Sequence, residues 1–204
     1  HLLHRLDLET SGLILIAKNN AVARQYQSKL DDLIKRKIYR AIVMGKPDWT
    51  HNDFTCDLAT LEASKGGSGI RSQMHVVPRG EGKESRTVFR CLATIEKQGL
   101  NYSLIECELF SGRKHQIRAQ LAHLGHAIVG DKIYSNGGKF YLKRIDKTLT
   151  AADHEKLLTP HHLLHAYEIH LNNLWDPESP LKSEPENIIL RDDDFPESWQ
   201  GFDF

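Results

Sequence analysis

Most apolar residues of this chain recur at every second position, and only two stretches switch to the spacing of a helix. Ile38, Arg40 and Ile42 alternate with Tyr39, Ala41 and Val43, and shorter alternating runs carry Phe54, Cys56 and Leu58, then Met74 and Val76. Period two sends successive side chains to opposite faces, so each segment reads as a strand. Residues 87–95 and 101–110 are longer runs of this kind, joined through Lys97-Gln98-Gly99, and predict a β-hairpin. A late strand carries His165, Tyr167, Ile169 and Leu171 on one face, which makes His165 a packed, hydrogen-bonded core histidine. Near the start, Leu13-Ile14-Leu15-Ile16-Ala17 is aliphatic without interruption and follows Thr10-Ser11-Gly12, which predicts a tight bend feeding a buried strand. Helical spacing appears at Ala23, Tyr26, Leu30, Leu33 and Ile34, with Asn19 or Asn20 placed to cap and Lys35-Arg36-Lys37 at the negative end of the dipole. It returns at Ile117, Leu121 and Leu124, where Gly125 is placed to end the helix. Strands joined in sequence by short turns predict an α+β fold, with a mixed, largely antiparallel sheet flanked by helices and loops.

Charge divides the chain. Over 204 residues, 27 basic side chains balance 27 acidic ones, but residues 176–204 hold nine acids against Lys182 and Arg191, leaving the rest at +7. With Pro177, Pro180, Pro185 and Pro196, that split separates a basic body, residues 1–175, from an acidic, proline-containing C-terminal extension, residues 176–204, expected to run over the surface or to be partly disordered. A basic body suits a phosphate backbone, with affinity that falls as salt rises. The functional reading of the tail is an electrostatic guard over that binding site.

Other classes are disfavoured. No stretch approaches the roughly 18 apolar residues of a membrane span, so no membrane partner is expected. Cys56, Cys91 and Cys107 are odd in number and form no C-x-x-C pair, which argues against a disulfide framework and for a reducing compartment, the cytoplasm. His161, His162 and His165, or His123 and His126, lack the cysteine or carboxylate frame of a zinc site, so no metal is expected. Lys65-Gly66-Gly67-Ser68-Gly69 lacks the spacing of a Walker loop and reads as a mobile connection.

The candidate chemistry starts at Asp7, at the mouth of that predicted bend. A carboxylate drawn out of water needs a cation beside it, because an isolated buried charge costs several kcal/mol. Arg5 is close in sequence; the other candidates lie in Ser111-Gly112-Arg113-Lys114-His115-Gln116-Ile117-Arg118. On the helix through Ile117 and Leu121, Arg118 falls on an adjoining face and can point into the groove that Asp7 borders.

These blocks resemble the signature of the RluA-type RNA pseudouridine synthases. The likeness rests on His4-Arg5-Leu6-Asp7 with Thr10-Ser11-Gly12-Leu13, on Lys37-Ile38-Tyr39-Arg40-Ala41 with Gly45, and on the Ser111 to Arg118 run, which continues through Leu124-Gly125-His126-Ala127-Ile128-Val129-Gly130-Asp131. Leu164-His165-Ala166 closes it, so it covers residues 1–171. It implies the pseudouridine synthase fold with an RNA-binding cleft, and isomerisation of uridine without metal or organic cofactor. Asp7 would be the catalytic residue, Arg118 its ion-pair partner, and Tyr39 the ring lining the uridine pocket and moving a proton from the rearranged base. Arg5 would fill the space left by a flipped base, and Thr10, Lys37, Arg113, His115 and Gln116 would contact RNA. Lys114 and Ala127 depart from the Thr or Ser and the Pro usual in the family, which bears on subfamily and local packing rather than on the reaction. Relatives usually carry more chain before this point, often with an S4-like module, so the N-terminal part of the catalytic domain would be missing. The expected partner is RNA, with large-subunit ribosomal RNA favoured and transfer RNA the alternative, and the protein is expected to be a monomer. Two rivals are a glycoside hydrolase, for which only Glu9 could supply the second carboxylate, and an RNA-binding module without turnover, against which intact Asp7, Tyr39 and Arg118 speak.

Overall fold

The computed structural model describes residues 1–61, 69–172 and 188–204. The glycine-rich run at 65–69, apart from Gly69, and the first half of the acidic tail lie outside them. The strands are β1 (Ser11–Gly12), β2 (Ile34–Met44), β3 (His51–Ala59), β4 (His75–Val77), β5 (Lys83–Lys97), β6 (Leu100–Leu109), β7 (Leu164–Leu171) and β8 (Ile188–Arg191). They form one sheet ordered β1-β7-β2-β6-β5-β3-β4, with β8 also pairing β7. Among the described pairings only β1 with β7 is parallel, so the mixed, largely antiparallel α+β architecture stands. The helices are α1 (Asn20–Gln27), α2 (Leu30–Leu33), α3 (Gln116–His123), α4 (Lys139–Ile145) and α5 (Ala151–Leu157). None is long and apolar enough to cross a membrane, a statement that covers the described residues.

The β5–β6 hairpin turns through Gln98 and Gly99, both at positive φ, the mirror-type turn that suits the twist of adjoining strands. On one side of the sheet α3 buries Ile117 and Leu121 against Val43, Phe89, Ile105 and Ile128, while Leu124 is only partly buried. That interface also holds a polar ladder. Gln116 donates to Thr87 Oγ1, Thr87 donates to Gln120 at 2.6 Å, and Gln120 donates to Ser85 Oγ at 3.2 Å. Buried amides and hydroxyls are tolerable when each finds a partner, and this ladder fixes the rotation of α3 against β5.

Three expectations change. The Leu13 to Ala17 run is not a buried strand: beyond Ser11 and Gly12 it reaches β7 through Leu13 N, which donates to Ala166 O at 2.9 Å, and Ile14 and Ile16 are exposed. The run lies at the sheet edge, where its partners are residues 1–3: Leu3 N donates to Leu15 O, and Ala17 N to His1 O. One face of such an edge stays in water whatever its composition.

The single helix expected through Lys37 breaks after Gln27, and β2 begins at Ile34. Ile34 and Lys37 pair with Leu171 and Ile169 of β7, so cross-strand pairing takes residues that helix propensity alone would have kept. Asn19 caps α1 as expected, accepting from Val22 N at 2.9 Å.

The tail from Ile188 onward runs along the surface through the exposed β8, as expected, but its aromatic residues from Phe195 pack onto the body. Phe195 stacks on Tyr167, Phe202 meets Tyr102 edge-on, and Trp199 is buried in the core cluster. His165 touches Phe195 and Trp199 and pairs across the sheet with Arg40, one residue out of phase with Tyr39. Residues 195–202 therefore cover the sheet face turned away from Tyr39. His165 is the core histidine expected, bonded to Ser11 Oγ at 2.9 Å and to Asp192 O at 3.2 Å.

Candidate active site

Asp7 sits on a loop pinned at both ends. Residues 1–3 bridge to 15–17, and Ser11 and Gly12 run beside His165 and Ala166. Gly12 has φ +100°, and a Cβ there would collide with the Ala166 backbone, so the turn requires glycine. Within the loop Thr10 N donates to Asp7 O at 3.0 Å. Glu9, on the same loop, takes ion pairs from Lys132 at 3.0 Å and Arg144 at 2.7 Å. The loop is thus anchored to the chain before and within α4.

Arg118 arrives on the first turn of α3 and serves two carboxylates. Its Nη1 donates to Asp7 Oδ2 at 2.9 Å, while Nε and Nη2 grip both oxygens of Asp131 at 2.7 and 3.0 Å. Asp131 is fully buried and also accepts from the amides of Ile133 and Tyr134. Burial works against its charge, but Arg118 more than offsets this and holds the carboxyl below the usual carboxylate range. Burial likewise works against the Arg118 cation, and the paired carboxylates outweigh it, holding the guanidinium protonated more firmly than usual. The Tyr134 ring covers the same guanidinium, 5.2 Å from its carbon.

Tyr39 lines the same cleft from β2. Burial first, then the Asp7 charge, push its phenol up to about 12, so it is neutral at physiological pH. His115 precedes α3 with a left-handed backbone, φ 53° and ψ 22°, and its Nε2 is 4.0 Å from Asp7 Oδ2. Its burial, reinforced by the Arg118 charge, pushes it down to about 4, so it too is neutral. The cleft has a volume of about 920 Å³, at the upper end of what small-molecule sites occupy. Arg5, Lys37, Arg113 and Lys114 lie along it, and Arg5 and Arg113 are exposed.

Thr10 and Gln116, both expected to meet RNA, line the cleft and also hold structural hydrogen bonds. Gln116 is buried, accepts from Ser111 Oγ and Arg113 N, and donates to Arg86 O and Thr87 Oγ1, which uses every hydrogen bond its amide can make. Its work is to hold the Ser111 to His115 turn on β5. Thr10 is bonded to the buried His162 Nε2 at 2.8 Å. Asp131, Tyr134 and the Glu9 pairs were not singled out from sequence. Asp131 does stand in the Gly130-Asp131 pair of the third block, and that position was the available signal.

A model of the RNA pseudouridylate synthase family matches residues 1–123. The chain belongs to this family. Its RluA-type character agrees with the relatives: it is 40% identical over 134 residues to an uncharacterized RNA pseudouridine synthase of Chloroflexus aurantiacus, a match covering 65% of this chain and 38% of that protein. It is 32% identical over 139 residues to ribosomal large subunit pseudouridine synthase D of Zymomonas mobilis, covering 68% of this chain and 40% of the relative. It is 33% identical over 175 residues to tRNA pseudouridine synthase C of Vibrio vulnificus, covering 82% and 64%. This RNA pseudouridylate synthase family member thus spans about two fifths of the length of the first two relatives. The fold matches that of human RNA pseudouridylate synthase domain containing 1, with a TM-score of 0.66 at 22% identity over 94% of this chain and 68% of that one.

Proposed function

We propose that this protein isomerises uridine to pseudouridine in structured RNA, with Asp7, Tyr39 and Arg118 as its reacting and pairing groups. The observation that carries the reading is the sharing of Arg118. Asp131 already matches the guanidinium charge, so the group formed by Arg118, Asp131 and Asp7 carries one surplus negative charge, and it lies on Asp7 at the cleft. The reaction breaks the bond from ribose carbon 1′ to uracil N1, turns the base, and joins carbon 1′ to C5. The C5 proton leaves and N1 ends protonated, so atoms balance without a donor or redox partner. Positive charge that develops at carbon 1′ meets a carboxylate aimed at it, whether as nucleophile or as electrostatic partner. Neutral Tyr39 can stack on the base and relay the C5 proton. The uridine must be everted to reach Asp7, which costs a few kcal/mol of unstacking. Arg5 stands exposed at the cleft where a vacated stack could be filled, and Lys37 and Arg113 can meet phosphates.

The target favoured is large-subunit ribosomal RNA. Transfer RNA is the second reading, supported by the longer match to the Vibrio vulnificus relative. All three groups come from one chain, which supports action as a monomer, and three unpaired cysteines suit a reducing cytoplasm. The test uses unmodified transcripts of large-subunit ribosomal RNA and of transfer RNA, digested and examined for pseudouridine. Asp7→Ala should keep RNA binding and lose the product. Equal product from variant and native protein would reject the reading.

A further inference from the structure

Met74, Tyr134, His115 and Asp7 form a chain of contacts whose proton directions can be assigned. The Met74 amide can only donate, and it meets the Tyr134 hydroxyl at 2.8 Å. That oxygen keeps its own proton to give, and giving it to His115 Nδ1, 3.1 Å away, is the direction taken here, the opposite one being an Nδ1–H that donates to the phenol's second lone pair. Accepting at Nδ1 requires a lone pair there, so a neutral ring must carry its proton on Nε2. Nε2 is the atom nearest Asp7, 4.0 Å from Oδ2, and Oδ2 is also the oxygen that Arg118 Nη1 holds at 2.9 Å.

The backbone adds a second observation. His115 occupies the left-handed region, a conformation strained outside glycine and kept where the surroundings over-determine it. Histidine, like asparagine and aspartate, tolerates that region better than most side chains, and here its imidazole packs edge-on against Tyr134. The charged and titratable groups facing it are Asp7 from the first loop, Lys114 and Arg118 beside it, and Asp131 and Tyr134 from the loop after α3.

We infer that His115 is a positioning residue, locked by Tyr134 as the neutral tautomer with its proton on Nε2, which stands 4.0 Å from Asp7 Oδ2, beyond hydrogen-bond distance, and closes on that oxygen beside Arg118 when substrate fills the cleft, leaving Oδ1 to meet the ribose. The inference rests on the reading of Asp7 given above. With that contact closed, two donors on one oxygen keep the carboxylate from rotating in the substrate complex, and a neutral second donor does so without cancelling the surplus negative charge.

Nitrogen-15 NMR of the histidine side chains in the full chain, assigned with His115→Asn, reads the tautomer directly. His115 should show a protonated Nε2 and a bare Nδ1, and should stay neutral well below pH 6. In Tyr134→Phe the tautomer preference should weaken. On the transcript that the native protein modifies, that variant's kcat should fall about tenfold with little change in KM, the loss expected for one hydrogen bond felt in the transition state. His115→Gln, which keeps an amide donor near the Nε2 position, should retain more activity than His115→Leu. A protonated Nδ1 in the native protein, or a tautomer indifferent to Tyr134→Phe, overturns the inference even if Asp7-dependent product is found. Absence of Asp7-dependent product with the tautomer as assigned instead counts against the uridine reading alone.

Discussion

One guanidinium for two carboxylates, as at Arg118, leaves one negative charge that the pairing does not neutralise and that is available to a substrate. The histidines around it are kept neutral for the same electrostatic reason: a further cation beside Arg118 in a buried setting would be opposed by burial and by repulsion. His162, below the Asp7 loop, is pushed down to about 4 by burial and then by the Arg118 charge, and its Nδ1 is buried without a hydrogen-bond partner. A histidine depressed in the folded state binds fewer protons there than when unfolded. Between its ordinary 6.5 and about 4 the unfolded chain is therefore favoured as pH falls. We expect the free energy of unfolding in urea to drop across that window by about 1.4 kcal/mol per pH unit for each such histidine. His115 contributes in the same sense, so His162→Gln should make the slope shallower without abolishing it. A slope untouched by that substitution would contradict the burial argument. Asp7 was legible as a carboxylate in need of a cation, but the choice of Arg118 over Arg5 and the other bases of residues 111–118 came from the resemblance to the family motif. Asp131, His115 and Tyr134 were not legible in these roles, since sequence spacing does not say which polar groups meet across loops.

Among the elements, α3 has its apolar stripe in the predicted register, and that register is what turns Arg118 toward Asp7. Its polar residues Gln116 and Gln120 were unreadable as interface groups because their partners lie on β5, about thirty residues earlier. The break between α1 and α2 and the early start of β2 have a similar origin: pairing with β7, remote in sequence, decided the conformation of residues 34–37. The packed end of the tail was missed for another reason. A few aromatic residues among acids and prolines have no periodicity, yet Trp199 finds His165 and Phe195 in space. Trp199→Ala should cost about 3–5 kcal/mol, the usual cost of emptying an aromatic site in a core. Thermal or urea unfolding measures it, and a loss within 0.5 kcal/mol, typical of surface sites, would show that the tail does not belong to the core.

For the whole molecule, the separation of charge governs partners more than shape does. RNA affinity should fall linearly with salt on logarithmic axes, and Lys37→Ala or Arg113→Ala should each reduce that slope by about 1. The guard reading of the tail is best tested by charge and not by deletion, since deletion also removes Trp199. Exchanging Asp176, Glu178, Glu184 and Glu186, which lie outside the described residues, for their amides should raise non-specific affinity at low salt; unchanged affinity would dispose of that reading. The amino-acid sequence by itself determined the α+β class, the family, the register of α3 and the carboxylate at the turn, because periodicity, turn chemistry and short motifs are local properties of the chain. Only the tertiary structure decided that Arg118 is shared with Asp131, that Gln116 faces inward and that the acidic tail ends in a core aromatic. Each of these is a contact between distant segments, settled by which partner satisfies a buried polar or apolar group at the lowest free energy.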